Sequence, residues 1–263
     1  MNVLIINLAT ATERLEFQQE QMARLNLSYQ VMQAVTVEQI KPQAYRDLGH
    51  GWERPLRKTE LACFLSHHNA WQTVKKCQAP MLIIEDDAVL VRQTPLILAS
   101  LEIQTECDLV NLEVRSRKKI VGKALPLLPH FKLLPLYQDR TGAAAYVLWP
   151  SGAEILTQKA QNECPALADN FIASTYPLRR YQIEPAAAIQ LDQCEYYGIK
   201  PALITQSFIE AEIKPYHDSE GLWEGLTYKG RQIRSKLQSS YQHISTFWRS
   251  EERHIDLNPK NFQ

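Results

Sequence analysis

Three adjacent carboxylates carry the strongest chemical signal in this 263-residue chain. Met81-Leu82-Ile83-Ile84 reads as a buried strand running directly into Glu85-Asp86-Asp87. Side chains alternate faces along a strand, so Glu85 and Asp87 are predicted to share one side and Asp86 the other. At the carboxyl end of a parallel strand, such a pair faces the crevice where α/β proteins bind ligands. Hard oxygen donors suit Mg²⁺ or Mn²⁺, with substrate phosphates completing the coordination. The ion would act as a Lewis acid on a leaving diphosphate. The competing reading is a solvated acidic turn. Three neighbouring like charges repel one another without a cation, which favours the metal reading.

The elements around this cluster follow a β-α-β pattern. Val3-Leu4-Ile5-Ile6 reads as a buried strand, and Thr10-Ala11-Thr12 offers hydroxyl caps for a helix. Leu15, Met22 and Leu25 fall on one face of that helix, with Glu16, Gln19 and Gln21 expected to face water. Tyr29 to Val35 reads as a second strand, the opening of a parallel sheet. Residues 41–55 read as a loop. Thr59-Glu60 opens a long helix to Cys77 with Leu61, Phe64, Leu65 and Trp71 at helical spacing. Pro95 to Leu101 reads as a helix and Leu109 to Leu112 as a strand. Residues 115–135 read as a mobile excursion. Ala143 to Trp149 reads as a strand, Ser151 as the cap of the next helix, Leu167 to Tyr176 as a short helix and Pro185 to Leu191 as the last core strand. The expected architecture is an α/β domain over residues 1–215 and a separate tail over 216–263.

That tail has its own character. Lys229, Arg231, Arg234, Lys236 and Arg249 occur between 228 and 250 without an acidic residue, and Ile233, Leu237, Ile244 and Phe247 recur at near-helical intervals. This pattern is a basic amphipathic helix. It fits peripheral contact with an anionic membrane surface; the alternative is a helix packed on the domain with its charges solvated.

Composition limits the remaining classes. The apolar fraction of 45% and charged fraction of 22% suit a globular core, and Lys plus Arg equals Asp plus Glu, so nothing argues for nucleic acid. Five widely spaced cysteines without C-x-x-C argue against a disulfide framework or structural zinc. The short apolar start, broken by Asn7, does not read as a signal peptide, and no segment approaches a membrane span. The expectation is a cytoplasmic protein, peripheral to the inner membrane. There is no G-x-x-x-x-G-K-[ST] loop, which disfavours a P-loop phosphohydrolase or nucleotidyltransferase. A metal-dependent member of those classes using the same acids stays open, as does a non-catalytic membrane-binding module.

Four blocks together resemble glycosyltransferase family 25, which includes bacterial lipooligosaccharide galactosyltransferases and animal collagen galactosyltransferases. They are Val3 to Leu8 with Glu13-Arg14; Thr59 to His67 with Trp71; Leu82 to Ala88; and Gly142 to Leu148 with Gly152-Ala153 and Ala168-Asp169. The resemblance spans most of residues 1–210. It implies a GT-A-like fold and an inverting transfer of a hexose, galactose first and glucose as the alternative. The implied donor is a UDP-sugar and the implied acceptor a lipooligosaccharide core hydroxyl. On it, Asn7, Leu8, Arg14, Ser66, His67, Glu85, Asp86 and Gly142 would line the donor site, Glu85 and Asp87 would hold Mn²⁺ or Mg²⁺, and Asp169 would be the general base. Each has an ordinary alternative: an exposed helix charge for Arg14, a satisfied buried imidazole for His67, a helix cap for Asp169. Asp192 and Glu195 are the other candidate bases. His217 is a candidate late metal ligand or a solvated loop residue.

Overall fold

The computed structural model describes residues 1–139, 142–203 and 222–262. In chain order the elements are β1 (Asn2–Asn7), α1 (Thr12–Leu25), β2 (Tyr29–Gln33), α2 (Pro42–Leu48), α3 (Lys58–Cys77), β3 (Met81–Glu85), β4 (Ala88–Leu90) and α4 (Thr94–Glu102). They continue with β5 (Leu109–Asn111), β6 (Lys119–Gly122), β7 (Leu125–Leu128), β8 (Phe131–Gln138), β9 (Ala145–Leu148), α5 (Pro150–Asn162) and α6 (Ala168–Ala173). The last are β10 (Arg180–Glu184), β11 (Ala188–Gln190), α7 (Leu222–Thr246) and β12 (Ser250–Arg253).

The strands build one large mixed sheet in the order β12-β6-β8-β10-β5-β9-β3-β1-β2. Parallel pairing joins β2, β1 and β3, and again β5 and β10. β9 lies antiparallel between β3 and β5, so those five strands share one direction. Alternation along each buried strand feeds two cores. Val3, Ile5, Leu82 and Ile84 pack toward Met22 and Leu25 of α1 and Leu98 of α4. Leu4, Ile6, Ile83 and Tyr146 pack toward Phe64 and Trp71 of α3 and Phe171 of α6. Each such fully buried aliphatic side chain contributes roughly 1.5–3 kcal/mol of transfer free energy. This helix–sheet–helix sandwich fixes the strand ends that carry the acids.

Several local expectations change in the folded chain. The cap position of α1 is Ala11, with no hydroxyl cap. At α3 the Glu60 carboxylate takes the Arg57 amide at 2.8 Å, closing the first turn without Thr59. Pro150 opens α5, and the Ser151 hydroxyl instead donates to Asp108 at 2.6 Å. Residues 115–135 are not an irregular excursion: they form β6, β7 and the start of β8, whose alternating buried residues extend the sheet. The core strand near the end of the α/β body is β10, whereas Ala188–Gln190 pairs with β4 in a small separate sheet. Within 41–55, Pro at the first helical position starts α2.

Helix α7 follows the undescribed stretch 204–221, where His217 lies. After it the chain returns to the sheet: β12 pairs antiparallel with β6, Ile255 is buried, and Arg253 forms a two-pronged ion pair with Glu184. No helix among the described residues is long and apolar enough to cross a membrane.

Candidate active site

The acidic cluster is a tight turn between two strands. β3 ends at Glu85, whose amide donates to the Ala144 carbonyl at 2.9 Å; Asp86 and Asp87 then turn the chain into β4. Strand alternation therefore stops at Glu85, and the three acids face three different environments.

Asp86 is fully engaged. Its carboxylate receives Asn7 Nδ2 at 2.9 Å and Arg14 Nη1 at 3.0 Å, all three side chains being buried. Burial raises its pKa, and the Arg14 charge only partly opposes this. Arg14 also lies 3.8 Å from Asp87 Oδ2. Asn7 and Arg14 thus brace the turn rather than standing free at its edge. Below it, Gln18 donates to the carbonyls of Asp86 and Ala88 at 3.1 and 2.8 Å. Gln21 donates to Ala88 O at 3.0 Å and accepts the Leu90 amide at 2.8 Å. Both glutamines are buried, so α1 presents a polar face, and Gln21 does not face water as expected. They occupy the backbone groups that a turn under a helix would otherwise strand.

Asp87 is half-buried and only loosely paired. Its Oδ1 has no hydrogen-bond partner among the described residues. Burial first, then the neighbouring Glu85 charge, push its pKa up to about 7. Glu85 is the opposite case. Burial acts to raise it, but the hydrogen bond from His67 and the nearby positive charges win, and its pKa is lowered. His67 Nε2 lies 3.0 Å from Glu85 Oε1, and Gln190 donates to Oε2 at 3.2 Å. Behind His67, Tyr146 Oη sits 3.0 Å from Nδ1 and accepts the Trp71 indole N–H at 2.9 Å. An indole only donates. The tyrosine hydroxyl therefore has its own proton for Nδ1, which directs the imidazole N–H on Nε2 toward Glu85.

In front of Glu85 opens a cleft of about 500 Å³. Its walls come from α3 (Cys63), the end of β3 (Glu85), the segment after β5 (Glu113), Gly142 to Ala144 before β9, Asp169 at the start of α6 and Gln190 at the end of β11. This is the carboxyl-end crevice that the parallel strands predict. Asp169 is half-buried there with its Oδ1 on the Asn170 amide at 2.7 Å, and burial pushes its pKa up to about 6. Gly142 has φ +115°, and a Cβ there would lie 2.6 Å from Asn111 Nδ2, so glycine is required. Ser66 faces the protein interior: its hydroxyl donates to Ala62 O and accepts the Val35 amide. Leu8 packs half-buried against the core.

Two donor sets could hold a cation. The hard-oxygen set is Glu85 and Asp87, and the orphaned buried Oδ1 of Asp87 fits a Mg²⁺ or Mn²⁺ ligand. The other is Cys63 Sγ, His67 Nε2 and a Glu85 oxygen, within 4.8 Å of one another. Its sulfur and imidazole suit a softer ion. Here His67 Nε2 is occupied by Glu85, and burial holds the Cys63 thiol well above its ordinary pKa.

Sequence reading missed Glu113, Gln18, Gln21 and Tyr146. Of these Glu113 carried a signal, as an acid closing the apolar-rich stretch Leu109 to Leu112, much as Glu85 closes Met81 to Ile84.

An α/β sheet whose parallel strands end in a carboxylate-lined cleft is a ligand-binding arrangement. The chain matches the family described as glycosyltransferase family 25 (LPS biosynthesis protein) over residues 1–172. It belongs to that family and is a glycosyltransferase. It is 24% identical over 227 residues to the lipooligosaccharide biosynthesis protein lic2B of Haemophilus influenzae, covering 81% of this chain and 83% of that protein. It is 32% identical over 262 residues to procollagen galactosyltransferase 1-A of Xenopus laevis, covering 91% of this chain but 42% of the relative. The chain thus spans less than half of that larger protein. A crystal structure of mannose-1-phosphate geranyltransferase from Thermus thermophilus aligns with TM-score 0.38 and 12% identity over 76% of this chain and 79% of that one, a distant likeness.

Proposed function

We propose that this chain is an inverting, GT-A-like hexosyltransferase that moves galactose from UDP-galactose to a lipooligosaccharide core hydroxyl. The observation that carries this reading is the acidic turn: Glu85 lines the cleft, and two residues on, Asp87 holds a buried oxygen that has no partner among the described residues. Glu85 and Asp87 would hold Mn²⁺ or Mg²⁺, which when bound neutralises charge on the leaving UDP. Asn7, Arg14, Gln18 and Gln21 keep the turn in place. His67, held by Tyr146, orients Glu85. Asp169, with a pKa of about 6, is the general base that takes the acceptor hydroxyl's proton as that oxygen attacks the anomeric carbon. The names of the two relatives support galactose and a lipooligosaccharide acceptor.

Such an acceptor is anionic and lipid-anchored, and α7 suits that setting. A helix turns about 100° per residue, so Leu226, Ile233, Leu237, Tyr241, Ile244 and Trp248 form one stripe; all six are exposed, Trp248 at 94%. Lys229, Lys236 and Arg234 flank it. The opposite face docks on the body: Tyr228 and Thr246 are buried, and Arg231 donates to the carbonyls of His50 and Trp52 at 2.8 and 3.1 Å. Pairing two such stripes would set cations against cations. An anionic bilayer surface complements both features. The proposed location is cytoplasmic, peripheral to the inner membrane.

The test is to incubate the protein separately with UDP-galactose, UDP-glucose and UDP-N-acetylglucosamine, with and without Mn²⁺, and measure UDP release in the presence of lipooligosaccharide. Mn²⁺-dependent release with UDP-galactose alone is expected. Release with UDP-glucose instead would move the assignment to a glucosyltransferase. Phosphate release without sugar transfer would point to a hydrolase, and silence with all three donors would sink the donor assignment.

A further inference from the structure

Glu113 is a second acid in the cleft that the proposed chemistry does not use. It follows β5 and is 1% exposed, yet it contributes to the cleft wall beside Glu85 and Gly142. Its backbone is held from both sides: its amide donates to Asn111 Oδ1 at 2.8 Å, and Lys119 Nζ donates to its carbonyl at 3.1 Å. One carboxylate oxygen, Oε2, accepts the Ala144 amide at 2.9 Å. The other, Oε1, is buried and has no hydrogen-bond partner among the described residues. Buried acceptors in native proteins are almost always paired, so an orphan at a cleft wall points to a partner supplied from the cleft.

The surroundings narrow what that partner is. Asn111 also donates to the Gly142 carbonyl at 3.2 Å and to Asp139 at 3.0 Å, and Asp139 pairs with Lys119 at 2.8 Å. This network fixes the Glu113 backbone, and the Ala144 amide fixes its Oε2. Gly142 lines the cleft beside this carboxyl, where a Cβ would lie 2.6 Å from Asn111 Nδ2 and 3.4 Å from Oε2. Burial pushes the Glu113 pKa up to about 8, so this carboxyl offers a diphosphate no cationic partner. A sugar hydroxyl is a neutral donor and acceptor of the right chemistry.

We infer that Glu113 is a donor-sugar subsite, its free Oε1 hydrogen-bonding a ring hydroxyl of the bound hexose while the acidic turn holds the diphosphate. This rests on the proposed UDP-hexose reading and assigns the part of the site that tells the hexose from the bare nucleotide. Epimers differ in the direction of one hydroxyl, so a single fixed acceptor of this kind contributes to discrimination between them.

The experiment compares Mn²⁺-loaded wild-type, Glu113→Gln and Glu113→Ala protein for binding of UDP, UDP-galactose and UDP-glucose by calorimetry, with far-UV circular dichroism as the folding check. Glu113→Gln keeps the bulk and an oxygen for Ala144 but presents an amide to the cleft. The expected result is roughly tenfold weaker binding of the preferred UDP-hexose in both variants. Bare UDP should change by no more than about twofold. A folded variant that keeps the wild-type ratio of UDP-hexose to UDP affinity overturns the subsite. Equal weakening of UDP and UDP-hexose also overturns it, by making Glu113 a scaffold residue. Wild-type protein that binds none of the three would instead defeat the donor reading itself, and this assignment with it.

Discussion

The acidic turn and helix α7 handle their side chains in opposite ways. At the turn, polar groups are buried and interlocked: Asn7, Arg14, Gln18 and Gln21 hold Asp86 and the backbone around it, and the surplus is two orphan carboxylate oxygens, on Asp87 and Glu113. On α7, apolar groups are exposed: five aliphatic and aromatic side chains from Leu226 to Ile244, and Trp248 just beyond, stand in water, while the polar side of the helix grips the body. Each arrangement costs stability in isolation, since orphan buried acceptors and exposed apolar stripes are both unfavourable. Each becomes favourable with a partner, a cation and sugar nucleotide in one case and an anionic surface in the other. Residues that look misplaced for folding mark where the molecule meets something else.

The largest effect should come from breaking the turn's chemistry without its fold. Asp87→Asn is expected to lower sugar transfer by roughly a thousandfold, in the range lost with a major electrostatic contact. Steady-state UDP release checks it. The same substitution should leave thermal unfolding cooperative.

Next is the brace. Gln21→Leu leaves the Leu90 amide without a partner and takes one donor from Ala88 O. It is expected to cost about 2 kcal/mol in urea unfolding. Gln21→Glu should cost at least as much, since it replaces the donor toward Ala88 with a buried charge. Gln21 also marks where sequence reading stops. Val3 to Ile6 and Met81 to Ile84 are continuous apolar runs, so β1, β3 and the acids at the strand end were legible. Gln21 sits among Glu16 and Gln19 with nothing local to distinguish a solvated amide from a buried one. Its partners Ala88 and Leu90 are distant in sequence and come within reach only once β4 is beneath α1. The same holds for residues 115–135, whose Pro- and Leu-rich stretch declares itself as strands only when paired with β8, and for the environment of Glu113, whose carboxylate meets the Ala144 amide 31 residues further along the chain.

The half-buried acids at the turn and in the cleft, unlike α7, also set a pH dependence. Asp87 and Asp169 have folded pKa values of about 7 and 6, above the roughly 3.9 of an unfolded Asp. Between about pH 4 and 7 these two groups hold more protons in the native state than in the unfolded chain, so their contribution to the stability of the metal-free protein falls as pH rises through that window. Asp87→Asn removes the Asp87 share of this slope. The variant should be more stable than the metal-free wild type at about pH 8, and the difference should close toward about pH 4. Denaturant titrations at both pH values would show it, and a difference between variant and wild type that stays the same at the two pH values would contradict it.

The smallest effects belong to α7. Leu237→Ser with Ile244→Ser should reduce binding to vesicles containing anionic phospholipid by about tenfold or more, and Lys236→Gln alone by roughly fivefold, since each basic residue near such a surface contributes ~1 kcal/mol. Sedimentation with vesicles measures both. Turnover on a soluble acceptor fragment and unfolding free energy should hardly change. A fall in stability instead would mean that the stripe packs on protein.

The most direct test of the central claim is calorimetric binding of UDP to the wild type and to Asp87→Asn, each with and without Mn²⁺. The wild type is expected to bind UDP tightly only with the cation, and Asp87→Asn to lose that dependence together with most of its affinity. UDP binding of equal strength in both proteins, indifferent to Mn²⁺, would show that the acidic turn is not the metal and nucleotide site.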